Sequence, residues 1–435
     1  MTRWATLIRL PGWCLVNQSE AGIRPLPNPR AGSLTPPEPR AWIGVGRGID
    51  GGPLSLSLSP SKGESVPYRA GEGPPADSPS FHVSGCLSLP NRSLLLAVWL
   101  AAAGGLVCPA AEEPAVDIKA SDGWVIFDPT KDGQAYRYGP SMIINADGSI
   151  DAWFASPGGR GADGSAQWDW IRHKRSPSGG RSWGPETVVL KPTEKSADRM
   201  SVCDPGVVCF GGWYYLGVTA VDNDPGNCNQ VFVARSRSPT GPFEKWNGAG
   251  WGGAPAPIIR FTTPAEAWGA GEPSFVMKDE TLYVYYTWWV TKNPDGPLLN
   301  QTRLATGPAD DPNWPAKLAY QGVAFDRISG EDSSDVKYVD ALKVFVAVAS
   351  AQRMSAEGHL VCRTSTDGLH FSAPARVAGN IKPWCHNAGI SGTPEGHLDL
   401  NKPNFVAYAF SDQPKVNWAF WYTEMHPITI AQPAR

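Results

Sequence analysis

Cys203-Asp204-Pro205-Gly206-Val207-Val208-Cys209-Phe210-Gly211-Gly212-Trp213-Tyr214-Tyr215-Leu216-Gly217-Val218-Thr219-Ala220 is the stretch that decides the fold. An acidic residue and a proline open a short apolar run, Gly211-Gly212 makes a tight turn, and an aromatic run returns. Gly-Gly between two such runs signals a hairpin, because glycine takes the positive φ of a tight turn without steric cost. Beyond it, Gln230–Ser236 reads as a third strand and Ser238-Pro239-Thr240-Gly241-Pro242-Phe243 leads to a short outer edge.

The opening recurs. Tyr138-Gly139-Pro140-Ser141 precedes it, Gly271-Glu272-Pro273-Ser274 follows, and weaker copies stand at Ser334-Asp335-Val336 and Cys385-His386-Asn387-Ala388. Units of roughly 50 to 70 residues that repeat a strand pattern read as propeller blades, each unable to bury its apolar faces alone. Further strands are expected at Leu282–Trp288, Gln301–Thr306, Ala316–Val323, Lys343–Ala349, Gly358–Arg363, Asn404–Phe410 and Trp418–Thr423. No stretch after residue 112 keeps a helical period over three turns. The expectation is an all-β, five-bladed β-propeller over residues 112–435.

The chain ahead of it has another character. Residues 1 to about 90 are rich in Pro, Gly, Ser and Arg, and such composition buries too little to offset chain entropy. Asn91-Arg92, the apolar run from Ser93 to Val107, and Cys108-Pro109-Ala110-Ala111 have the layout of a secretory signal peptide at 91–111. The apolar run is shorter than the roughly 20 residues that span a bilayer, so export with cleavage is expected rather than membrane insertion. A signal this far along predicts that translation starts downstream of Met1 and that residues 1 to about 85 are not made; the alternative is a disordered leader. The expected location is secreted or periplasmic.

Residues 112–435 carry 29 Lys and Arg against 35 Asp and Glu, a net charge of about −6 that argues against nucleic acid as a partner. Five cysteines remain there, Cys203, Cys209, Cys228, Cys362 and Cys385, so at least one thiol is unpaired. The chain has 19 Trp, 12 Tyr and 14 Phe, enough to fill the wedges between blades and still offer flat faces to sugar rings.

In a propeller the innermost strand of each blade starts at one mouth of the central channel. The residues expected to converge there are Gly139, Asp204, Glu272, Asp335 and His386. Several carboxylates facing one pocket are what glycoside hydrolysis requires, an acid for the leaving oxygen and a base or nucleophile opposite. Crowding raises the pKa of one of them and keeps it protonated. Tyr138, Trp213, Trp268 and Trp384 are the expected aromatic platforms.

On Asp204-Pro205, Glu272-Pro273-Ser274 and Ala234-Arg235-Ser236-Arg237-Ser238-Pro239-Thr240-Gly241-Pro242-Phe243, the chain resembles the five-bladed glycoside hydrolases of families 43, 62, 32 and 68, over about residues 120–430. The family 43 resemblance implies that Glu272 is the general acid and Asp204 a pKa-tuning, substrate-orienting carboxylate. It also implies an Asp base on the first blade, where this chain has Gly139. Asp335 and Asp128 are the expected substitutes. No cofactor is required by this reading, and His386 takes the place of a late-blade histidine that holds a channel metal such as calcium. The alternative function is a carbohydrate-binding propeller without catalysis. Turns at Ser176–Trp183 and Ser365–Phe371 resemble the Asp-box of sialidases. They are expected to be structural, and a six-bladed sialidase-like enzyme is the least favoured reading because no triad of arginines accompanies the inner strands.

Overall fold

The computed structural model describes residues 8–10, 13–15, 115–132, 135–223, 226–262, 267–292, 298–412 and 420–433. Two short strands, β1 (Ile8–Leu10) and β2 (Trp13–Leu15), pair antiparallel. The rest of the 1–90 segment and the signal peptide expected at 91–111 lie outside the described residues. Among those described, no helix is long and apolar enough to cross a membrane.

Five antiparallel sheets make five blades. Blade one is β5 (Tyr138–Ile144), β6 (Ile150–Pro157), β7 (Asp169–Ser176) and β8 (Thr187–Leu190). Blade two is β9 (Ser201–Phe210), β10 (Trp213–Val221), β11 (Gln230–Ser236) and β12 (Glu244–Lys245). Blade three is β13 (Gly269–Lys278), β14 (Thr281–Val290), β15 (Leu299–Pro308) and β16 (Ala319–Asp326). A 3-10 turn, Trp314–Lys317, replaces the start of the strand expected from Ala316. Blade four is β17 (Ser334–Val339), β18 (Val344–Ala351), β19 (His359–Ser365) and β20 (Ala375–Arg376). Blade five is β21 (Cys385–Ile390), β22 (Asn404–Phe410) and β23 (Tyr422–Ala431), with β3 (Asp117–Ala120) and β4 (Trp124–Phe127) from the other end of the chain added to its outer edge. That pairing closes the ring and ties the two ends of the propeller together.

Each seam between blades has its own apolar core. Phe210, Tyr215, Phe275 and Trp314 fill the seam of blades two and three, and Tyr285, Tyr338 and Phe345 that of three and four. The inner strands are buried on both faces, which is why they read as near-continuous apolar runs. The turns resembling Asp-boxes are seam fasteners, as expected. Trp124 Nε1 donates to Gly180 O at 2.7 Å, and Tyr285 OH donates to Gly368 O at 2.7 Å. The turn of blade two behaves alike, with Trp153 Nε1 donating to Pro239 O at 3.1 Å.

The far end of the channel is closed by the loop between β21 and β22. Its backbone bonds to the terminal residue, or the one before it, of every other inner strand: Gly392 with Ile144, Pro394 with Cys209, Glu395 with Met277, and Gly396 with Tyr338. The channel therefore opens at one end only, where the inner strands begin.

Candidate active site

The ladders of β5, β9, β13 and β21 with their neighbours each slip once, at Gly139, Asp204, Glu272 and Asn387. All four residues have left-handed φ: +58°, +47°, +53° and +41°. A bulge re-aims the side chain at its bend, and for a residue other than glycine the conformation costs about 1–3 kcal/mol. Aspartate and asparagine tolerate it best, so Glu272 is the residue for which structure alone gives least reason. Three non-glycine residues held this way at one register of three blades mark the mouth as a site. Pro140, Pro205 and Pro273 follow the bends on three of the blades.

The bends line a pocket of about 20 Å³, the space of one water molecule, walled by Gly139, Asp204, Glu272, Ser274, Asp335 and Asn387. Asp204 is 4% exposed and Glu272 5%. Asp204 Oδ1 accepts from Asn387 Nδ2 at 2.8 Å, and Cys203 Sγ donates to Oδ2 at 3.3 Å. The Glu272 backbone N donates to Thr219 Oγ1 at 2.6 Å, fixing the bend. Glu272 Oε2 accepts from Thr287 Oγ1 at 2.5 Å and from Arg327 Nη1 and Nη2 at 3.2 and 3.3 Å. Among the described residues no hydrogen bond reaches Oε1.

Burial, then the negative charge of Asp332, and to a lesser extent that of Asp204, raise the Glu272 pKa from 4.5 to about 7, against the opposing pull of Arg327. Oε2 acts as the acceptor for Arg327 and Thr287, so the proton belongs on Oε1. Asp332 is itself buried. Its Oδ2 lies 2.6 Å from His386 Nδ1, and its Oδ1 takes Arg353 Nη1. Arg327 also donates through Nε to Thr302 Oγ1 at 3.2 Å and through Nη2 to Thr287.

Asp204 and Glu272 come together as expected. Asp335 lines the same pocket, but both its oxygens are engaged: Oδ1 by Ser274 Oγ at 2.7 Å and Lys337 Nζ at 2.5 Å, Oδ2 by Ile390 N at 2.8 Å. Its strand β17 runs without a bulge, so Asp335 staples three blades instead of bending into the channel. Asp128 is elsewhere. It follows β4, three strands out from β21, or about 14 Å at ~4.8 Å per strand. Thr130 and Lys131 hold its pKa down at about 2.

His386 is one residue short of the ring, and Asn387 occupies the bend. The imidazole is fully buried between Tyr138 and Trp421, with ring centroids 5.3 Å from each. Calcium takes six to eight oxygens, and no group of three His, Cys, Asp or Glu converges to hold a metal among the described residues.

Of the aromatic platforms, Trp268 lies against Gly271 beside Glu272 and 6.2 Å from the Trp289 ring, at the mouth. Trp384 is half-buried just before β21 with φ +58°, its N donating to Ser355 O at 2.7 Å. Tyr138 is 2% exposed, with its OH 3.3 Å from Asp169 Oδ1, so it supports the mouth from below and offers no open face. Trp213 opens β10 at the far end of the hairpin, roughly 20 Å along the strand from Asp204. Its ring stacks with Arg235 and Arg237, at 4.2 and 3.7 Å, and cannot reach a ligand at the mouth.

Sequence reading missed Asn387, Arg327, Thr287, Asp332 and the buried Asp169, which accepts from Tyr136 OH at 2.6 Å and Ser201 Oγ at 2.7 Å.

Among solved structures, the chain is similar to a family 117 glycoside hydrolase of the marine bacterium Zobellia galactanivorans. The identity is 16% and the TM-score 0.52, over 73% of this chain and 92% of that one. The two share a fold. That is the five-bladed likeness expected from the inner-strand openings. A thermostable family 43 glycoside hydrolase aligns at TM-score 0.49 and 16% identity, over 69% of this chain and 94% of that one. An α-L-arabinofuranosidase from Podospora anserina aligns at TM-score 0.49 and 10% identity, over 72% and 97%. No protein-family model and no curated protein matches the chain.

Proposed function

We propose that the protein is a secreted glycoside hydrolase that acts on a polysaccharide or oligosaccharide by acid and base catalysis at the channel mouth. The observation that carries this reading is a pair of carboxyls on adjacent blades, both bent inward, whose surroundings differ. Glu272 is pushed toward neutral pH by burial and neighbouring negative charge, whereas Asp204 accepts from Asn387 and Cys203. Those surroundings suit Glu272 to keep the proton that a general acid needs. Protonated Oε1 of Glu272 gives its proton to the glycosidic oxygen as the bond breaks. Asp204, rather than the stapled Asp335 or the distant Asp128, faces the opposite side of the scissile bond as base or nucleophile. Arg327 and Thr287 hold Oε2, which fixes the carboxyl plane and then stabilises the carboxylate left behind. Trp268 supplies a flat apolar wall for a sugar ring.

Gly139 favours a second reading, a carbohydrate-binding propeller that lacks the first-blade acid. A Cβ there would meet Asp204 Cα at 3.4 Å and Asn387 Nδ2 at 3.6 Å, in ordinary contact, yet the position carries no side chain.

Sugar release by the full chain from a panel of polysaccharides and aryl glycosides, beside Glu272→Gln and Asp204→Asn, decides between them. Release that both substitutions abolish supports the hydrolase. Retention on a polysaccharide without release by any form supports the binding propeller.

A further inference from the structure

A second cavity, of about 270 Å³, lies between blades two and three. Arg260, Tyr286, Trp288, Arg303 and Tyr320 line it, with aliphatic carbons of Ile258, Ile259 and Leu318, and no carboxylate does. Side chains alternate along a strand, so Tyr286 and Trp288 project from the face of β14 opposite Thr287, which serves Glu272. The cavity therefore shares no side chain with the channel mouth.

Its polar groups are arranged for a ligand. Tyr286 is only 4% exposed as a residue, and its OH, which makes no hydrogen bond among the described residues, is a solvent-accessible donor in the cavity wall. Burial also raises its pKa, so it stays a neutral donor. The indole N–H of Trp288, 8% exposed, is likewise without a partner among the described residues. Arg303 is held in place by Gln301 Oε1, at 3.0 Å from Nε and 2.8 Å from Nη2, and lies 4.3 Å over the Trp288 ring. That grip leaves Nη1 open. Arg260 is exposed, with no ion pair among the described residues. The Tyr320 ring, 5.7 Å from the Arg303 guanidinium, is 56% exposed, one of few large apolar surfaces left open.

Two guanidinium groups, two neutral donors and a flat aromatic face ask for an anion, several acceptor oxygens and a C–H face. We propose that this cavity binds an acidic saccharide. A sugar ring lies on Tyr320, its carboxylate or sulfate bridges Arg303 and Arg260, and its hydroxyl or ring oxygens accept from Tyr286 and Trp288. The volume, below the roughly 300–1,000 Å³ of drug-sized sites, suits about one ring. The site stands whether or not the mouth is catalytic.

The test is mobility of the full chain in native gels containing polygalacturonate, a sulfated galactan, a neutral galactan or a single-stranded DNA oligonucleotide. Tyr320→Ala, Arg260→Ala and Glu272→Gln run beside it. Tyr320 and Arg260 are exposed, so their variants keep the fold, checked by circular dichroism. The expected result is retardation by at least one acidic polysaccharide, weakened about tenfold or more in Kd by each of the first two substitutions and unchanged in Glu272→Gln. Which acidic gel retards the protein tells carboxylate from sulfate recognition. Equal retardation by the neutral galactan or the oligonucleotide, none by either acidic polysaccharide, or indifference to Tyr320→Ala and Arg260→Ala would overturn the proposal.

Discussion

Replacing Glu272 by Gln removes a titrating group from the mouth while keeping an acceptor for Arg327 and Thr287. Below pH 4.5 the glutamate carries its proton in both the folded and unfolded states. Between 4.5 and about 7 the folded protein keeps the proton and the unfolded chain has lost it. Stability then falls with rising pH across that window, because the folded state binds more protons. The rise from 4.5 to about 7, at 1.36 kcal/mol for each tenfold change in proton affinity, comes to about 3 kcal/mol. Other groups titrate in both proteins, so the quantity to follow is the difference between wild type and Glu272→Gln. Urea unfolding at half-unit steps from pH 4 to 8 measures it. The wild type is expected to lose about 3 kcal/mol relative to the variant over this range, with the change levelling off by about pH 8. A constant difference would refute the reasoning. A difference that grows in favour of the wild type would show instead an ordinary ion pair, with Arg327 holding Glu272 ionised.

Arg327→Met removes the positive charge that opposes protonation, so the alkaline limb of the pH–rate profile should move to higher pH; a purely structural arginine would leave the limb in place and lower only stability. Asn387→Gly keeps the positive φ but deletes the donor to Asp204, and a loosened carboxylate of this kind costs about 10²-fold in kcat, with melting temperature nearly unchanged. Asp335→Asn breaks a buried, multiply bonded pair with Lys337, so unfolding free energy should drop by about 3 kcal/mol. Loss of activity from Asp335→Asn without loss of stability would restore Asp335 as the base.

The blade count and the pair of acids were legible because proline follows the bend on the first three blades, placing Asp204 and Glu272 in register with one another. Blade five has Ala388 there, and without the proline the conspicuous His386 displaced Asn387 as the ring residue. One signal could have corrected this. Gly206 and Gly389 each stand two residues after a bend, and a Cβ at either would meet a proline carbonyl oxygen on the neighbouring blade, at 2.1 and 1.7 Å. Trp213 misled because an aromatic after Gly211-Gly212 resembles those near the mouth, although the turn reverses the chain at the opposite end of the strand. Arg327 and Asp332 stand outside the strands and reach Glu272 only through the folded chain. Their influence on its proton is a product of three-dimensional burial, with no local pattern to betray it. The same holds for the plugging loop, whose partners are the ends of four other blades.

The central claim is that Glu272 donates a proton to the leaving group, and a leaving-group comparison tests it most directly. Hydrolysis of a natural glycoside and of the matching 2,4-dinitrophenyl glycoside, which departs without protonation, would be measured for wild type and Glu272→Gln. The account predicts a loss of about 10²–10⁴ on the natural substrate and little change on the dinitrophenyl one. Equal losses on both would contradict it and make Glu272 a residue that shapes the mouth without supplying the proton.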